Sequence, residues 1–218
     1  MAINKAAYFK IKEELDEKQV QLIAVSKTKP AEDILELHKL GQRDFGENYV
    51  QELVDKNEQI KENINWHFIG HLQTNKVKYI AKFVYLIHSV DSLKLLQEID
   101  KQGLKNNVCI NCLIQIYIAS EETKFGLDAN ELEEIMLLYR NGNLKNVCIK
   151  GVMGMASFSD DENKVRAEFA NLKAIASKYP ELNLISMGMS QDYKIAIEEG
   201  SSMIRIGSLL FGERNKKL

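Results

Sequence analysis

Residues able to do chemistry fall at the ends of short apolar runs in this sequence. The first run closes in Ala24-Val25-Ser26-Lys27-Thr28-Lys29-Pro30. Side chains alternate along an extended strand, so Lys27 points the same way as Ile23 and Val25. A lysine held in that drier setting is disfavoured as an ammonium ion, and its neutral amine adds to an aldehyde to give a Schiff base. Taken alone, the segment fits a surface lysine snorkelling from a strand end better. Two later segments bring anion chemistry. Ser186-Met187-Gly188-Met189-Ser190, running into Gln191-Asp192, and Arg205-Ile206-Gly207-Ser208 put small and polar residues where helices begin. Backbone N–H groups at such turns suit a phosphate, whereas plain capping by Ser190 or Asp192 needs no ligand. Arg205 sits in the apolar run Met203-Ile204-Arg205-Ile206. A buried guanidinium needs a partner, either an inward carboxylate such as Glu47 or an acceptor on a ligand.

Other polar groups are weaker signals. Phe45-Gly46-Glu47-Asn48-Tyr49 and Trp66-His67-Phe68-Ile69-Gly70-His71 each follow an apolar run with a glycine and polar side chains. His67 and His71 have the spacing of a metal pair, but Gly70 and the strand-like run break any helical face, and no metal site is expected. Met153-Gly154-Met155 reads as apolar packing. Cys109, Cys112 and Cys148 are odd in number and lack a second pair or a nearby histidine. They read as buried structural thiols, Cys109 and Cys112 on opposite faces of a strand.

These segments must be held by a repeating scaffold. Eight candidate strands span 21–26, 43–45, 65–70, 84–89, 109–118, 149–155, 183–187 and 203–207. Helical spacing follows at 31–40, 91–103, 128–139, 161–178 and 191–199, after an amphipathic opening helix. Alternating strands and helices imply parallel strands joined by crossovers. Eight such units in about 200 residues fit an α/β fold, a single (β/α)8 TIM-type barrel over residues 1–218 with an extra N-terminal helix. An open doubly wound sheet fits less well, because the turn after the first strand lacks glycine. In such barrels the chemistry sits at the carboxyl ends of the strands, and phosphate favours the loops after strands seven and eight. Those are the loops carrying Ser190 and Ser208.

A formal net charge of −2 argues against nucleic acid or a membrane surface as partner. The N-terminus lacks the apolar core of a signal peptide, no run is long enough to span a membrane, and free thiols suit a reducing cytoplasm.

The segments AVSKTKP (24–30), FGENYVQE (45–52), WHFIGHLQTNK (66–76), HSVDS (88–92), KFGL (124–127), GVMGMA (151–156), SMGMSQDY (186–193) and IRIGSLLFGER (204–214) occur in one order along the whole chain. Through them the sequence closely resembles the pyridoxal phosphate homeostasis protein family. The resemblance implies a barrel like the N-terminal domain of alanine racemases, the fold-type III arrangement for pyridoxal 5′-phosphate (PLP). It implies that Lys27 carries PLP as a Schiff base and that Ser186, Ser190, Gly207 and Ser208 surround the phosphate. Arg205 would face the pyridine nitrogen, with Asn48, His71 and Met187 nearby. The sequence departs from the family at Tyr117, where asparagine is usual.

An arginine against the ring nitrogen can only donate, so that nitrogen stays unprotonated and the ring is a weak electron sink. That disfavours transamination and decarboxylation and leaves racemase-type chemistry or none. Alanine racemases bring a second acid/base, a tyrosine, from a further β-domain; a chain ending at Leu218 is expected to lack that domain, and of Tyr49, Tyr117 and Tyr193, which could substitute, the spacing favours none. The reading that follows is a monomeric, cytoplasmic PLP carrier without an assigned catalytic residue, serving apo PLP-dependent enzymes. An amino acid racemase is the alternative.

Overall fold

Eight parallel strands pair in chain order and the eighth returns to the first, giving a closed barrel. The strands are β1 (Gln21–Val25), β2 (Asp44–Glu47), β3 (Asn65–Phe68), β4 (Leu86–Val90), β5 (Ile110–Gln115), β6 (Val147–Met153), β7 (Leu184–Met189) and β8 (Met203–Ile206). Closure runs through the register Gln21↔Met203 to Ala24↔Ile206. The computed structural model describes residues 3–120 and 125–212. Lys124 of the KFGL stretch, residues 121–123 and the Glu213-Arg214 end of the last matching segment lie outside them. The expected (β/α)8 barrel is therefore the fold observed.

The helices are α1 (Lys5–Glu17), α2 (Ala31–Lys39), α3 (Val50–Gln59), α4 (Val77–Ile80, after a 3₁₀ turn at Thr74–Lys76), α5 (Leu93–Asn106), α6 (Ala129–Arg140), α7 (Glu162–Ala176), α8 (Tyr193–Glu198) and α9 (Ser208–Phe211). Two of these, α3 and α4, were not expected from spacing, whereas α9 begins at Ser208 as the Gly207-Ser208 turn implied. In α3 the run VQELVDKNEQ buries only Leu53 and Lys56, so no apolar stripe marks it. Among the described residues no helix is long and apolar enough to cross a membrane.

Side-chain alternation sorts the strands into two layers. Leu22, Ala24, Phe45, Phe68, Ile87, Ile114, Val152, Ile185, Met187, Ile204 and Ile206 belong to the main core, between barrel and helices. Inside the barrel, Leu86, Leu113, Met153 and Met203 form a separate apolar cluster. The interior also takes His67, His88, Ser186 and Arg205, all buried. Strand boundaries moved by one to three residues from expectation, most at β5, where pairing ends at Gln115 and passes to a single bridge between Ile116 and Leu127. The thiols need correction: Cys112 is buried, but Cys109 is exposed and Cys148 half-buried. Cys109 lies one residue before β5, with its Sγ 2.7 Å from that of Cys148.

Candidate functional site

A cavity of about 710 Å³ opens at the carboxyl ends of the strands. Its wall includes Val25 at the end of β1, Lys27 and Lys29 after it, Asn48 after β2, Ser190 to Asp192 after β7, and Arg205, Gly207 and Ser208 on β8 and its loop. Six of the nine residues singled out from sequence thus meet: Lys27, Asn48, Ser190, Arg205, Gly207 and Ser208.

The other three stand apart for identifiable reasons. Ser186 is buried one step below, its hydroxyl accepting from Arg205 Nη1 at 2.6 Å. Met187 is next in sequence and so faces the opposite side, packing fully buried in the main core; it does not line the cavity. His71 is an exposed residue outside the cavity wall, bonded to Asp91 at 2.9 Å and stacked on Phe125 at 4.6 Å. His67 points into the barrel instead, so the two histidines share nothing. The loop from Ala156 to Asp160, with Glu162, also lines the cavity and was missed, although SFSDD before a helix is a polar turn of the same kind. Asp192 does not cap α8 through its side chain; it accepts from Met189 N at 2.6 Å and shapes the turn.

Arg205 is 5% exposed. Glu47 is not its partner. Nη1 donates to the Ser186 carbonyl at 2.8 Å as well as to its hydroxyl, and Nη2 to the Gly154 carbonyl at 3.2 Å. Burial pulls the guanidinium down to about 10, against the attraction of Asp192, so it stays cationic at neutral pH.

Glu47 faces the other way, out of the barrel toward α3, because β2 alternates with Gly46 turned inward. Its Oε1 accepts from Ser26 Oγ at 2.6 Å and from Lys56 Nζ at 2.8 Å. Lys56 also donates to the Ser26 carbonyl at 2.8 Å and to Glu52 Oε1 at 2.7 Å. Glu52 Oε1 in turn accepts from Thr28 N at 2.6 Å. Thr28 has φ +64°, the left-handed region that β-branched residues avoid. The residues on both sides of Lys27 are thus tied to α3 by a buried ionic cluster.

Burial pushes the Glu47 carboxyl up from 4.5 to about 7, although Lys56 and the Ser26 hydroxyl pull it down. An acid whose folded pKa is raised binds its proton more tightly when native. Its contribution is full below about 4.5 and is lost as pH rises through about 7. Over that window Glu47 should withdraw on the order of 3 kcal/mol. Urea unfolding of the protein and of Glu47→Gln across the same range tests this. Equal slopes of stability against pH would remove Glu47 as the cause.

One observation tests whether these residues fit PLP. The Asn48 Oδ1 atom is buried and has no hydrogen-bond partner among the described residues. Buried acceptors are rarely left so. A ligand hydroxyl would supply the donor, Arg205 would meet an acceptor, and the Ser190 and Ser208 loops would take a phosphate. Lys27 offers the amine for an aldehyde. The donor set fits the group.

The fold and the cavity define a barrel of the alanine racemase N-terminal class, and residues 5–215 match the family described as alanine racemase, N-terminal domain. A pyridoxal phosphate homeostasis protein of Aquifex aeolicus (strain VF5) is 42% identical over 200 residues, 89% of this chain and 87% of that one. Its Escherichia coli (strain K12) namesake is 38% identical over 206 residues, 90% and 87% of the two chains. PipY of Synechococcus elongatus PCC7942, solved without PLP, superposes with a TM-score of 0.87 at 33% identity, covering 95% of this chain and 99% of that one. The same protein with PLP bound gives 0.80 at 35%, covering 89% and 93%. The chain belongs to the pyridoxal phosphate homeostasis protein family. Alanine racemase of Clostridium difficile 630 shares the fold alone, at 16% identity, a TM-score of 0.78, and coverage of 98% of this chain and 58% of that one.

Proposed function

We propose that this protein binds PLP in the cavity, anchors it covalently through Lys27, and serves intracellular PLP homeostasis. The observation that carries the reading is the convergence of Lys27, Arg205 and the unpartnered Asn48 oxygen on one cavity. The PLP-bound relative supports it. When bound, PLP supplies an aldehyde for amine capture and a pyridine ring that can withdraw electrons. Lys27 holds the aldehyde end, Arg205 donates toward the ring nitrogen, and Ser190, Gly207 and Ser208 receive the phosphate. In this reading the protein works as a cytoplasmic monomer that delivers PLP to apo-enzymes.

PLP added to the cofactor-free protein should give a visible chromophore that borohydride traps as a mass addition on Lys27. Lys27→Ala should lose both. An unchanged chromophore in that variant would sink the assignment. Incubating the PLP-loaded protein with single amino acid enantiomers separates carrier from racemase: sustained change in optical rotation would overturn the carrier reading, and restored activity of an apo-enzyme would support it.

A further inference from the structure

One line of polar groups runs through the barrel and has no place in the cavity itself. Asp44, half-buried at the start of β2, lies 3.0 Å from His67 Nε2. His67 Nδ1 lies 2.9 Å from His88 Nε2, and His88 Nδ1 lies 2.9 Å from Ser186 Oγ. Ser186 Oγ accepts from Arg205 at 2.6 Å. The middle members are fully buried.

The two ends dictate the direction of every bond between them. A guanidinium has no acceptor, so Arg205 must donate to Ser186. The Ser186 proton is then available for His88 Nδ1. An ionised carboxylate has no donor, so His67 Nε2 must carry a proton toward Asp44. A neutral His67 then accepts at Nδ1 from His88 Nε2–H, leaving His88 Nδ1 to accept from Ser186. Every group is satisfied once, with both rings neutral and protonated on Nε2. The environment agrees. Burial holds both histidines below their ordinary values, His88 furthest, with His67 and Arg205 also repelling a proton there. Burial raises the Asp44 carboxyl, but hydrogen bonds from His67, Gln21 and Asn65 pull it below its ordinary value and keep it ionised.

We propose that Asp44, His67 and His88 are positioning residues for Arg205, acting through Ser186 from the opposite end of the barrel. Among the described residues Arg205 makes no ion pair. Asp192 attracts it across the cavity, while the chain of aligned dipoles brings the influence of the Asp44 charge to it from below. Three of its five N–H groups are committed to Ser186 and Gly154. These bonds fix the guanidinium of a residue that lines the cavity. The effect on PLP rests on the proposed function; the chain itself does not.

Ring nitrogen NMR on the PLP-free protein tests the chain directly, since there are four histidines to assign. Neutral Nε2–H forms for both His67 and His88 are expected around neutral pH. A proton on Nδ1 of either ring would overturn the proposal. Arg205 should show resolved, slowly rotating guanidinium N–H signals that collapse in Asp44→Ala and persist in Asp44→Asn, which keeps an acceptor for His67. Unaltered Arg205 signals in folded Asp44→Ala would also overturn it. For PLP, Asp44→Ala should weaken binding about fivefold, the scale of one lost hydrogen bond, and move the chromophore as Arg205→Lys does. In an Arg205→Lys background Asp44→Ala should add nothing further; additive losses would show that Asp44 does not act through Arg205. If the wild-type protein takes no PLP, the functional reading fails, and the NMR results still decide the chain.

Discussion

Replacing Lys56 with methionine should cost about 3–5 kcal/mol at pH 8, because it strands a buried carboxylate. Glu47 is fully buried, and Lys56 is the cation against it, 2.8 Å away. Its other oxygen, Oε2, already lacks a partner among the described residues. Methionine matches the length of the lysine stem but supplies none of its three bonds, to Glu47, Glu52 and the Ser26 carbonyl. The loss should shrink under acid conditions, where Glu47 takes up a proton and no longer needs a cation. Adding Glu47→Leu to Lys56→Met should recover much of the stability, since a well-packed apolar pair avoids the desolvation of both ions. It should not recover function. Ser26 and Thr28 bracket Lys27, and the cluster holds the strained Thr28 backbone through Glu52. PLP affinity should therefore fall about tenfold in both variants, the scale of losing one charged hydrogen bond. Urea midpoints at two pH values and a PLP titration read these effects. A loss under about 1 kcal/mol at pH 8 would mean that the pair is not the anchor of this loop.

Gly70→Ala should damage the site more than the fold. A Cβ at Gly70 would lie 2.1 Å from the Asn48 carbonyl oxygen and 2.7 Å from its Cα. Both are backbone atoms, so no side-chain rotation relieves the overlap. The Gly70 carbonyl is also held by the Ser89 hydroxyl, which limits retreat in that direction. The loop after β2 must move instead, and it carries the unpartnered Asn48 oxygen at the cavity wall. Overpacking of this kind costs about 1–3 kcal/mol. PLP binding should weaken by more than tenfold, because a small displacement of a positioning group is felt strongly in a preorganised site. Comparison with Asn48→Ala is the control. If Gly70→Ala binds PLP as the wild type does, Asn48 has no part in holding it.

Much of the site was legible because it follows from period-two alternation. Ile23 and Val25 share a side of β1, and Lys27, in the turn two residues past its end, joins Val25 at the cavity wall. The same rule turns Arg205 inward and should have turned Met187 out, since it follows the inward Ser186 by one residue. The small and polar turns after β7 and β8 were also visible, because local backbone needs select their residues.

What the sequence by itself determined was the repeating strand–helix order, the lysine and arginine at the strand ends, and the small, polar turns after β7 and β8. These depend on backbone periodicity and on turns of a few residues. The tertiary structure alone decided who meets whom. Glu47 met Lys56 rather than Arg205, because α3 is too polar to be read as a helix and so its lysine could not be placed. His67 reached His88 across 21 residues, and His88 reached Ser186 across 98. Cys109 approached Cys148 at the exposed start of its strand. Such pairings depend on barrel register and closure, which bring distant segments together at distances that no local spacing encodes.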